Sequence, residues 1–409
     1  MRCVGILKIN NREALDRIRW PWDSASAHLL TGVCVAVLSG ILVAGLWPFH
    51  APRNEVNWLS AGAGLLFGKY GSIVSAAAFD PKSRRADNSC SLEIWLEPRR
   101  VQSAGTILAF YQPDNQATPF SLRQSLGDLV LQRSSRNEVG QTKKAKIYVD
   151  DVFSQQKPVL VTISSSQSGI TVFANGVFAK RFENFRLSSQ DMKGRLIAGN
   201  SPVTTDDWSG QLRGIAVYDR GLTTEEVSQH FVDWTTGNRV SLAQTQGATA
   251  IYPFNEGEGK VVHNLLDSAT DLLIPDRFFV LHAQFLERPW DEFRRDWNYW
   301  KDIGINIAGF IPLGFFFCAY FSLARRVEHP VAITIALGFA VSLNIEVWQA
   351  FLPTRDSGMT DLITNTLGTA IGAMACCHRV VRVALHAAGF RAESSNIGFE
   401  TQHVGASSP

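Results

Sequence analysis

The sequence predicts a multi-domain membrane protein in which an all-β domain is inserted between the first and second of four transmembrane helices. One observation is the run from Leu29 to Trp47, which carries no charge and approaches the roughly 20 residues that a spanning helix needs. Another is a long middle region in which apolar and polar residues alternate, as in half-buried β-strands. The third is a set of three apolar runs near the end of the chain, at 303–323, 331–352 and 360–377.

The composition agrees with a membrane protein and excludes some functions. Of 409 residues, 45% are hydrophobic and 19% are charged, so the chain is more apolar than an average soluble protein. The formal net charge is +2 and no long run of Lys or Arg is present, which argues against nucleic acid as a partner. Cys90 is the one cysteine of the middle region, so no intramolecular disulfide is expected there. No Cys/His spacing predicts a metal or cofactor site.

Basic residues set the expected topology. They precede the first apolar run and follow the second and fourth: Arg2, Lys8, Arg12, Arg17, Arg19, Arg325, Arg326, Arg379 and Arg382. By the positive-inside rule, both termini are expected in the cytoplasm and the middle region outside it. The first run is longer than the core of a cleavable signal peptide, so we expect an anchor that is retained. Four basic residues before the second run would then lie outside, as long translocated segments permit: Arg288, Arg294, Arg295 and Lys301.

The middle region predicts a β-sandwich with hairpins. Its alternating runs are "SLEIWLEP", "GTILAFY", "DLVLQR", "KIYVDD", "PVLVTIS", "ITVFANGVFAKRF", "GRLIAGN" and "GQLRGIAVYDR". Asn175 and Gly176 stand between two such runs, where a type I′ turn would join antiparallel strands. Thr223 and Glu226 have the spacing of a capping box, which predicts the start of a short helix.

Three stretches of this region resemble a known family. "SLEIWLEP", "LVTISSSQSGITVFANGVFAKRF" and "WSGQLRGIAVYDRGLTTEEV" are similar to the laminin-G, concanavalin-A-like jelly roll. The resemblance implies two packed antiparallel sheets and a role in binding a glycan or a protein. The family's usual opening phrase follows the other strands here, as "IYPFNEGEGKVV", so the strand order is expected to be rotated. Asp206 and Asp207 are interpreted as solvated loop residues rather than calcium ligands.

An amphipathic helix is expected in the linker before the second transmembrane helix. In "FLERPWDEFRRDWNYWKD", the residues Trp290, Phe293, Trp297 and Trp300 recur at intervals that place them on one helical face. We expect this helix to lie at the membrane surface, with its tryptophans at the depth of the headgroups. The alternative is that it packs on the sandwich.

Polar residues recur at helical spacing in the three C-terminal apolar runs, where charge is costly. They form one stripe on each helix: Asp302 and Asn306; Ser342, Glu346, Gln349 and Pro353; and Asp361, Asn365, Gly368 and Gly372. We expect the stripes to face one another or a wet cleft near the outer leaflet. Arg355, in the link between the last two helices, is expected to fold over the carboxylates and donate charge-assisted hydrogen bonds.

This spacing resembles a second family. "DIGINIAGFIPLGFFF" and "SLNIEVWQAFLPTRDSGMTDLITNTLGTAIGA", with "LWPF" at the end of the first helix, are similar to the VanZ-like family of bacterial membrane proteins, named for a teicoplanin-resistance determinant. The matching positions are Asn306, Pro312, Gly314, Ser342, Glu346, Gln349, Pro353, Arg355, Asp361, Asn365 and Gly368. The resemblance implies a cell-envelope role and altered glycopeptide susceptibility, and it assigns no reaction.

The sequence therefore predicts a binding protein of the bacterial cytoplasmic (inner or plasma) membrane. The sandwich is expected to engage an extracytoplasmic glycan or protein, and the polar membrane site a membrane lipid, a lipid-linked envelope precursor or another anionic ligand. The predicted ligand-binding residues are Asn306, Glu346, Gln349, Arg355, Asp361 and Asn365. Whether the protein is an enzyme stays open, since Glu346 and Asp361 also suit an acid/base pair acting on a lipid-linked substrate.

Two further alternatives remain. Asn, Gln and Ser side chains can bridge helices, and Gly368 with Gly372 has the spacing of close helix contacts, so the polar residues also suit a structural role. That role accounts less well for Glu346, Arg355 and Asp361, since buried ion pairs seldom improve stability over apolar packing. A small permease is the other alternative, and it would need a homo-oligomer.

These interpretations divide the chain into eight parts. The predicted boundaries are a basic cytoplasmic segment at 1–27, helix one at 28–48, the laminin-G-like jelly roll at 57–255, the linker at 256–302, helices two to four at 303–323, 331–352 and 360–377, and a disordered cytoplasmic tail at 378–409.

Overall fold

The computed structural model describes residues 24–60, 62–80, 88–136, 142–293, 295, 297–325 and 327–378. They divide into two compact units, a β-sandwich formed mainly by residues 48–285 and a helical unit that draws helices from both ends of the chain. The basic segment as far as residue 23, and the predicted tail from residue 379, lie outside the described residues.

The sandwich consists of two antiparallel sheets. Its strands are β1 (Val56–Trp58), β2 (Leu65–Phe67), β3 (Ile73–Ser75), β4 (Cys90–Pro98), β5 (Ala104–Gln112), β6 (Ala117–Ser125), β7 (Asp128–Arg136), β8 (Thr142–Val149), β9 (Val159–Ser166), β10 (Gly169–Ala174), β11 (Val177–Phe182), β12 (Arg195–Ala198), β13 (Gly210–Tyr218), β14 (Ala248–Tyr252), β15 (Val261–Val262) and β16 (Leu272–Leu273). The first sheet has the order β1-β2-β13-β4-β9-β10-β11, with β14 also paired to β13. The second has the order β15-β16-β3-β12-β5-β6-β7-β8.

Apolar side chains from the inner faces of both sheets form the core of the sandwich. Leu92, Ile94 and Leu96 of β4 alternate into it and are fully buried, as the period of two predicts. Sequence reasoning missed the strands of two or three residues, because such short strands leave no alternation to detect, and it also missed the longer strands β6 and β14. Two of the short strands, β15 and β16, belong to the second sheet, so that sheet extends past residue 255, where the jelly roll was expected to end.

The hairpin between β10 and β11 has the predicted turn. Asn175 and Gly176 both have a positive φ, 51° and 79°, as a type I′ turn requires. Asn175 also accepts a hydrogen bond from the amide of Leu160 through its side-chain oxygen, at 2.9 Å. The local sequence signal therefore identifies this hairpin correctly.

Two helices, α2 (Thr224–Thr236) and α3 (Arg239–Gln244), cover the outer face of the first sheet. The capping box is confirmed: Thr223 Oγ1 accepts from the amide of Glu226 at 3.3 Å, and Glu226 accepts from the amide of Thr223 at 2.9 Å. The indole of Trp234 in α2 packs where Gly214 lies in β13, since a Cβ at Gly214 would collide with that ring. This helix cover turns the outer face of the sheet into a second apolar core.

Glu93 in β4 lies beneath this cover and is fully buried. Its carboxylate accepts hydrogen bonds from Tyr218 Oη and Trp234 Nε1, both at 3.0 Å, and its other oxygen lies 3.0 Å from His230 Nδ1. The alternation in "SLEIWLEP" predicted a half-buried strand with Glu93 on the polar side. That expectation is wrong for Glu93, because α2 encloses the outer face of the sheet at this point.

The helical unit contains α1 (Ser24–Leu46), α4 (Pro289–Glu292), α5 (Trp297–Ala319), α6 (Pro330–Gln349) and α7 (Met359–Cys377), with a π-helical turn at Tyr320–Ala324 after α5. Among the described residues, three helices are long and apolar enough to cross a membrane: His28–Leu46, Trp297–Leu323 and Pro330–Gln349. The fourth expected span corresponds to α7, whose membrane crossing stays a prediction.

The prediction of one continuous amphipathic helix before α5 is wrong, because the helix is interrupted. The short helix α4 ends at Glu292, and Phe293 has a ψ of 120°, which no α-helix permits. The four aromatic side chains on which the expectation rested are all highly exposed, at 71%, 48%, 80% and 56% for Trp290, Phe293, Trp297 and Trp300. Their location at a membrane surface stays a prediction.

Helices α5 and α7 pack backbone to backbone. A Cβ at Gly368 would collide with the carbonyl of Ile307, and one at Gly372 with the carbonyl of Ile311. From the opposite helix, a Cβ at Gly314 would collide with the carbonyl of Thr369. The close helix contact that the Gly368 and Gly372 spacing predicted is thereby confirmed.

Candidate functional site

Three carboxylates meet at the first turn of α7, and we call them the carboxylate cluster. They come from three helices: Glu292 ends α4, Glu346 lies near the end of α6, and Asp361 lies in the first turn of α7 itself. The residue before α7 is Gly358, which has no side chain to cap the helix. The first amides of α7 therefore need acceptors from elsewhere.

Glu346 supplies one of these acceptors. Its Oε2 accepts a hydrogen bond from the amide of Gly358 at 2.9 Å, and the side chain of Ser357 also hydrogen-bonds to it. Glu346 is 1% exposed. The carboxylate thus lies buried against the positive end of the α7 dipole, and of the two expected arrangements its surroundings favour helices that face one another.

Glu292 supplies another acceptor, and sequence reasoning missed it. Its Oε2 accepts from the amide of Thr360 at 3.2 Å. Its carboxylate also lies so close to Gly358 that a Cβ at that position would collide with it. The backbone between these contacts is fixed by a bridge, in which Glu287 donates to the carbonyl of Ser357 at 2.9 Å and accepts from the amide of Met359 at 2.9 Å. The one signal in the sequence was Pro289, which suits the first turn of a helix and marks α4.

Two pairs of stripe residues join neighbouring helices, which is one of the two arrangements expected from the sequence, whereas Asp302 is exposed. Asn306 of α5 donates through Nδ2 to Asp361 Oδ1 at 2.7 Å. Asn365 of α7 donates through Nδ2 to Ser342 Oγ of α6 at 3.0 Å. The Oδ1 atom of Asn365 is buried and accepts no hydrogen bond from the described part of the chain. Polar side chains of α5, α6 and α7 are therefore gathered along one helix, α7.

Two predicted site residues group with the other compact unit. Residues 349–356, which include Gln349 and Arg355, cluster with the sandwich, where Thr205 Oγ1 donates to the carbonyl of Pro353 at 2.9 Å. Gln349 is 8% exposed, whereas Arg355 is exposed. The role expected of Arg355 over the carboxylates stays a prediction.

The chemistry available to the cluster follows from its atoms. Carboxylate and amide oxygens accept hydrogen bonds from hydroxyl, amide and ammonium groups, and a protonated carboxyl group donates one. The amides at the start of α7 and its dipole favour negative charge on Glu346 and Glu292, whereas burial and the neighbouring Asp361 oppose negative charge on Glu346. No group of three or more His, Cys, Asp or Glu side chains with metal-binding geometry occurs among the residues that the structure describes.

The sandwich has a cleft of about 780 Å³ where β13 ends and β14 begins. Its polar lining consists of Asp80, Asp219, Gln246, Thr249, Asp267 and Thr270. Asp206 and Asp207 lie outside this cleft, and Asp206 pairs with Arg123 at 3.0 Å. Burial raises the pKa of Asp207, its neighbour.

Two family models match the chain. Residues 249–382 match VanZ/LLP1, and residues 71–228 match the concanavalin A-like lectin/glucanases superfamily. Both resemblances drawn from the sequence are thereby confirmed. Together with the apolar helices, they support a membrane-associated envelope protein that carries a sandwich of a carbohydrate-binding type. No protein with a curated description matches the chain.

Several solved structures resemble part of the chain. The binding domain of Paraclostridial Mosquitocidal Protein 1 is 15% identical with a TM-score of 0.33, and the match covers 44% of this chain and 46% of that one. The botulinum neurotoxin serotype D ligand binding domain, in complex with N-acetylneuraminic acid, is 13% identical with a TM-score of 0.33, over 44% and 45%. A SAP-like pentraxin from Limulus polyphemus is 17% identical with a TM-score of 0.27, over 44% and 78%. The chain spans less than half of the first two, and TM-scores this low carry no argument about the ligand of this sandwich.

Proposed function

Because the chain joins a VanZ-like domain to a concanavalin A-like sandwich, we propose that it is a cell-envelope binding protein with two ligands. The helical unit binds a lipid-linked envelope precursor or a similar anionic lipid, and the sandwich binds an extracytoplasmic glycan or protein. An effect on glycopeptide susceptibility belongs to this proposal, since the VanZ-like family takes its name from a teicoplanin-resistance determinant.

The observation that carries the membrane part is the carboxylate cluster at the start of α7. Charged groups among membrane-spanning helices are costly and usually mark a pathway or a binding site. A helix can satisfy its first amides more simply with a Ser, Thr or Asp before its first turn. This chain instead has Gly358 there and brings Glu346 and Glu292 from two other helices.

The residue types suit a headgroup that carries both sugar and phosphate. Asp361, Asn306 and Asn365 offer acceptors and donors to hydroxyl and amide groups. Arg355, in the link that precedes α7, suits a phosphate because its guanidinium presents a fork of donors. The cleft beside β13 and β14 offers carboxylate, amide and hydroxyl groups, the types of side chain that hydrogen-bond to a glycan.

The alternative is a membrane enzyme in which Glu346 and Asp361 act as an acid/base pair. The feature that favours it is the difference in their surroundings, since Glu346 is buried against amides while Asp361 accepts from Asn306. Two carboxyl groups in unlike environments are a common arrangement for acid/base chemistry.

Two substitutions of Glu346 separate a functional role from a purely structural one. In Glu346→Gln the amide oxygen still accepts from the amide of Gly358, so abundance and detergent thermal stability should stay near those of the wild type. In Glu346→Leu that amide loses its acceptor, and the protein should lose about 1 to 3 kcal/mol of stability. Asn344→Leu, an exposed position on the same helix, is the matched control.

The readouts are membrane abundance, thermal stability and complementation of a deletion strain, with teicoplanin susceptibility measured in a susceptible host. We expect Glu346→Gln to be stable and to lose the envelope phenotype, while Asn344→Leu keeps both. If a stable Glu346→Gln protein complements the deletion normally, the acid/base alternative is wrong and no negative charge is required at position 346. A phenotype that falls only in proportion to abundance would assign the cluster a structural role.

A further inference from the structure

We propose that one edge of the sandwich binds the headgroups of an anionic lipid surface. Strand β11 is the edge strand at one end of the first sheet, and strand β8 is the edge strand at one end of the second sheet. Lys180 of β11 joins them, because its Nζ donates to the carbonyl of Tyr148 at 3.0 Å and to Asp150 at 2.7 Å. Residues 142–150 and 177–183 therefore form one continuous border, which we call the basic edge.

The basic edge carries an excess of positive charge. Its exposed basic side chains, besides the paired Lys180, are Lys143, Lys144, Lys146 and Arg181. Its acidic residues are Asp150, which Lys180 engages, and Glu183. Basic residues near an anionic bilayer each contribute about 1 kcal/mol of attraction. Four such cations with one acid beside them are enough for measurable binding.

Apolar side chains are exposed on the same edge. Val177 is 69% exposed, Phe178 is 58% exposed and Tyr148 is 46% exposed. The type I′ turn at Asn175 and Gly176 fixes Val177 at the end of its hairpin. Exposed apolar residues beside basic ones are typical of surfaces that dip into the headgroup region of a bilayer.

Protection of the sheet edge and binding of a soluble polymer each account for only part of this pattern. Lysines on an edge strand discourage pairing with a foreign sheet, but that role does not need an exposed Val177 or Phe178. A hydrated anionic polymer would use the cations and would gain little from Val177. Tyr148, Lys146 and Lys144 share one face of β8, while Phe178 lies opposite Phe173 on the outer face of the other sheet. A flat surface that meets the edge can contact both sets, which favours a lipid surface over a single chain.

Flotation with vesicles tests this inference without reference to the carboxylate cluster. The full chain, held in nanodiscs of phosphatidylcholine, is mixed with vesicles of phosphatidylcholine alone or with an equal part of phosphatidylglycerol. The variants are the triple change Lys143→Ser, Lys144→Ser and Lys146→Ser, and the single change Val177→Ser. The control carries the same loss of charge at three other exposed positions, Lys69→Ser, Arg99→Ser and Arg100→Ser.

We expect the wild type to float with the anionic vesicles, less so at high salt, and not with the neutral ones. At about 1 kcal/mol for each basic residue, the triple variant should bind on the order of 100-fold more weakly, and the control should bind nearly as the wild type does. Val177→Ser should weaken binding without changing its salt dependence. Equal losses in the triple variant and the control would overturn the proposal. Binding of soluble polyphosphate by this edge, without binding of vesicles, would also overturn it and identify a polymer surface.

Discussion

Glu93 shows what one buried carboxylate does for the sandwich. It is fully buried in β4 and accepts hydrogen bonds from Tyr218 and Trp234, which lie on the next strand and on α2. His230 of α2 lies against its other oxygen. The residue therefore attaches the helix to the sheet through polar contacts inside an apolar layer. A buried group with this many partners is costly to remove, because each partner is left without an acceptor.

Replacing Glu93 should accordingly destabilise the sandwich. We expect Glu93→Ala to lower the free energy of unfolding by about 3 to 5 kcal/mol, since the donors around it stay buried without an acceptor. Glu183→Ala, at an exposed position, should change it by less than about 0.5 kcal/mol. Chemical unfolding of the full chain in detergent, followed by tryptophan fluorescence, measures both. If both changes lower the free energy of unfolding by the same amount, Glu93 contributes no more to stability than an exposed carboxylate does.

Glu226 makes the attachment of α2 sensitive to pH. Its hydrogen bond from Arg220, at 2.8 Å, lowers the pKa of Glu226 from 4.5 to about 2. A carboxyl group whose pKa falls on folding stabilises the fold above its unfolded pKa, and this contribution is lost as the pH falls through the folded pKa. The protection factors of the α2 amides, which are exchange rates corrected for their intrinsic pH dependence, should therefore fall between about pH 4.5 and 2. Glu226→Gln should flatten this dependence and Glu225→Gln, at an exposed site, should not. If the protection factors of the wild-type α2 amides do not change over this pH range, the stabilising role assigned to Glu226 is contradicted.

At the scale of secondary-structure elements, helices α5 and α7 are in close backbone contact. The backbones approach so closely at Gly372 that any side chain would displace one of the helices. At Gly309, on the outside of α5, an added Cβ would meet nothing within 4 Å. The two glycines thus offer a matched comparison within one helix pair.

We expect Gly372→Ala to lower the thermal stability of the helical unit in detergent, by about 1 to 3 kcal/mol, because overpacking forces the helices apart. Gly309→Ala should be neutral or stabilising by up to about 1 kcal/mol, since alanine favours the helix. Thermal unfolding monitored by circular dichroism distinguishes them. The packing account fails if both substitutions shift the midpoint in the same direction and by the same amount.

The elements also show which features a sequence can predict. The turn at Asn175 and Gly176 and the capping box at Thr223 and Glu226 depend on residues close together in the chain, and both are confirmed. The burial of Glu93 depends on α2, which lies more than a hundred residues further along. The contact of Glu292 with Thr360 likewise joins distant segments. Local signals do not specify which distant element covers a face, and so the sequence did not predict these two contacts.

At the scale of the whole molecule, the sidedness of the membrane protein is the expectation most open to test. The distribution of Lys and Arg predicts that the sandwich lies outside the cytoplasm and that the link between α5 and α6 lies inside it. Lys157 in the sandwich and Glu328 in the link are both exposed, so cysteines there should be accessible to a reagent on their own side.

In intact spheroplasts, an impermeant thiol reagent should label Lys157→Cys and leave Glu328→Cys unlabelled until the membrane is opened. Both variants are made in a background from which the native cysteines have been removed. The reverse pattern of labelling would invert the topology, and with it the side of the membrane on which the sandwich meets its ligand.

The carboxylate cluster and its proposed ligand are the centre of the account. The measurement that tests them most directly is the experimental structure of the full chain in nanodiscs of native lipid, with wild type and Glu346→Gln determined side by side. We predict ligand density in contact with Glu346 or Asp361 in the wild type, and weaker density in the variant while the amide of Gly358 keeps its acceptor. The proposal is contradicted if, in both structures, the carboxylates contact only Gly358, Thr360 and Asn306 and no ligand lies beside them.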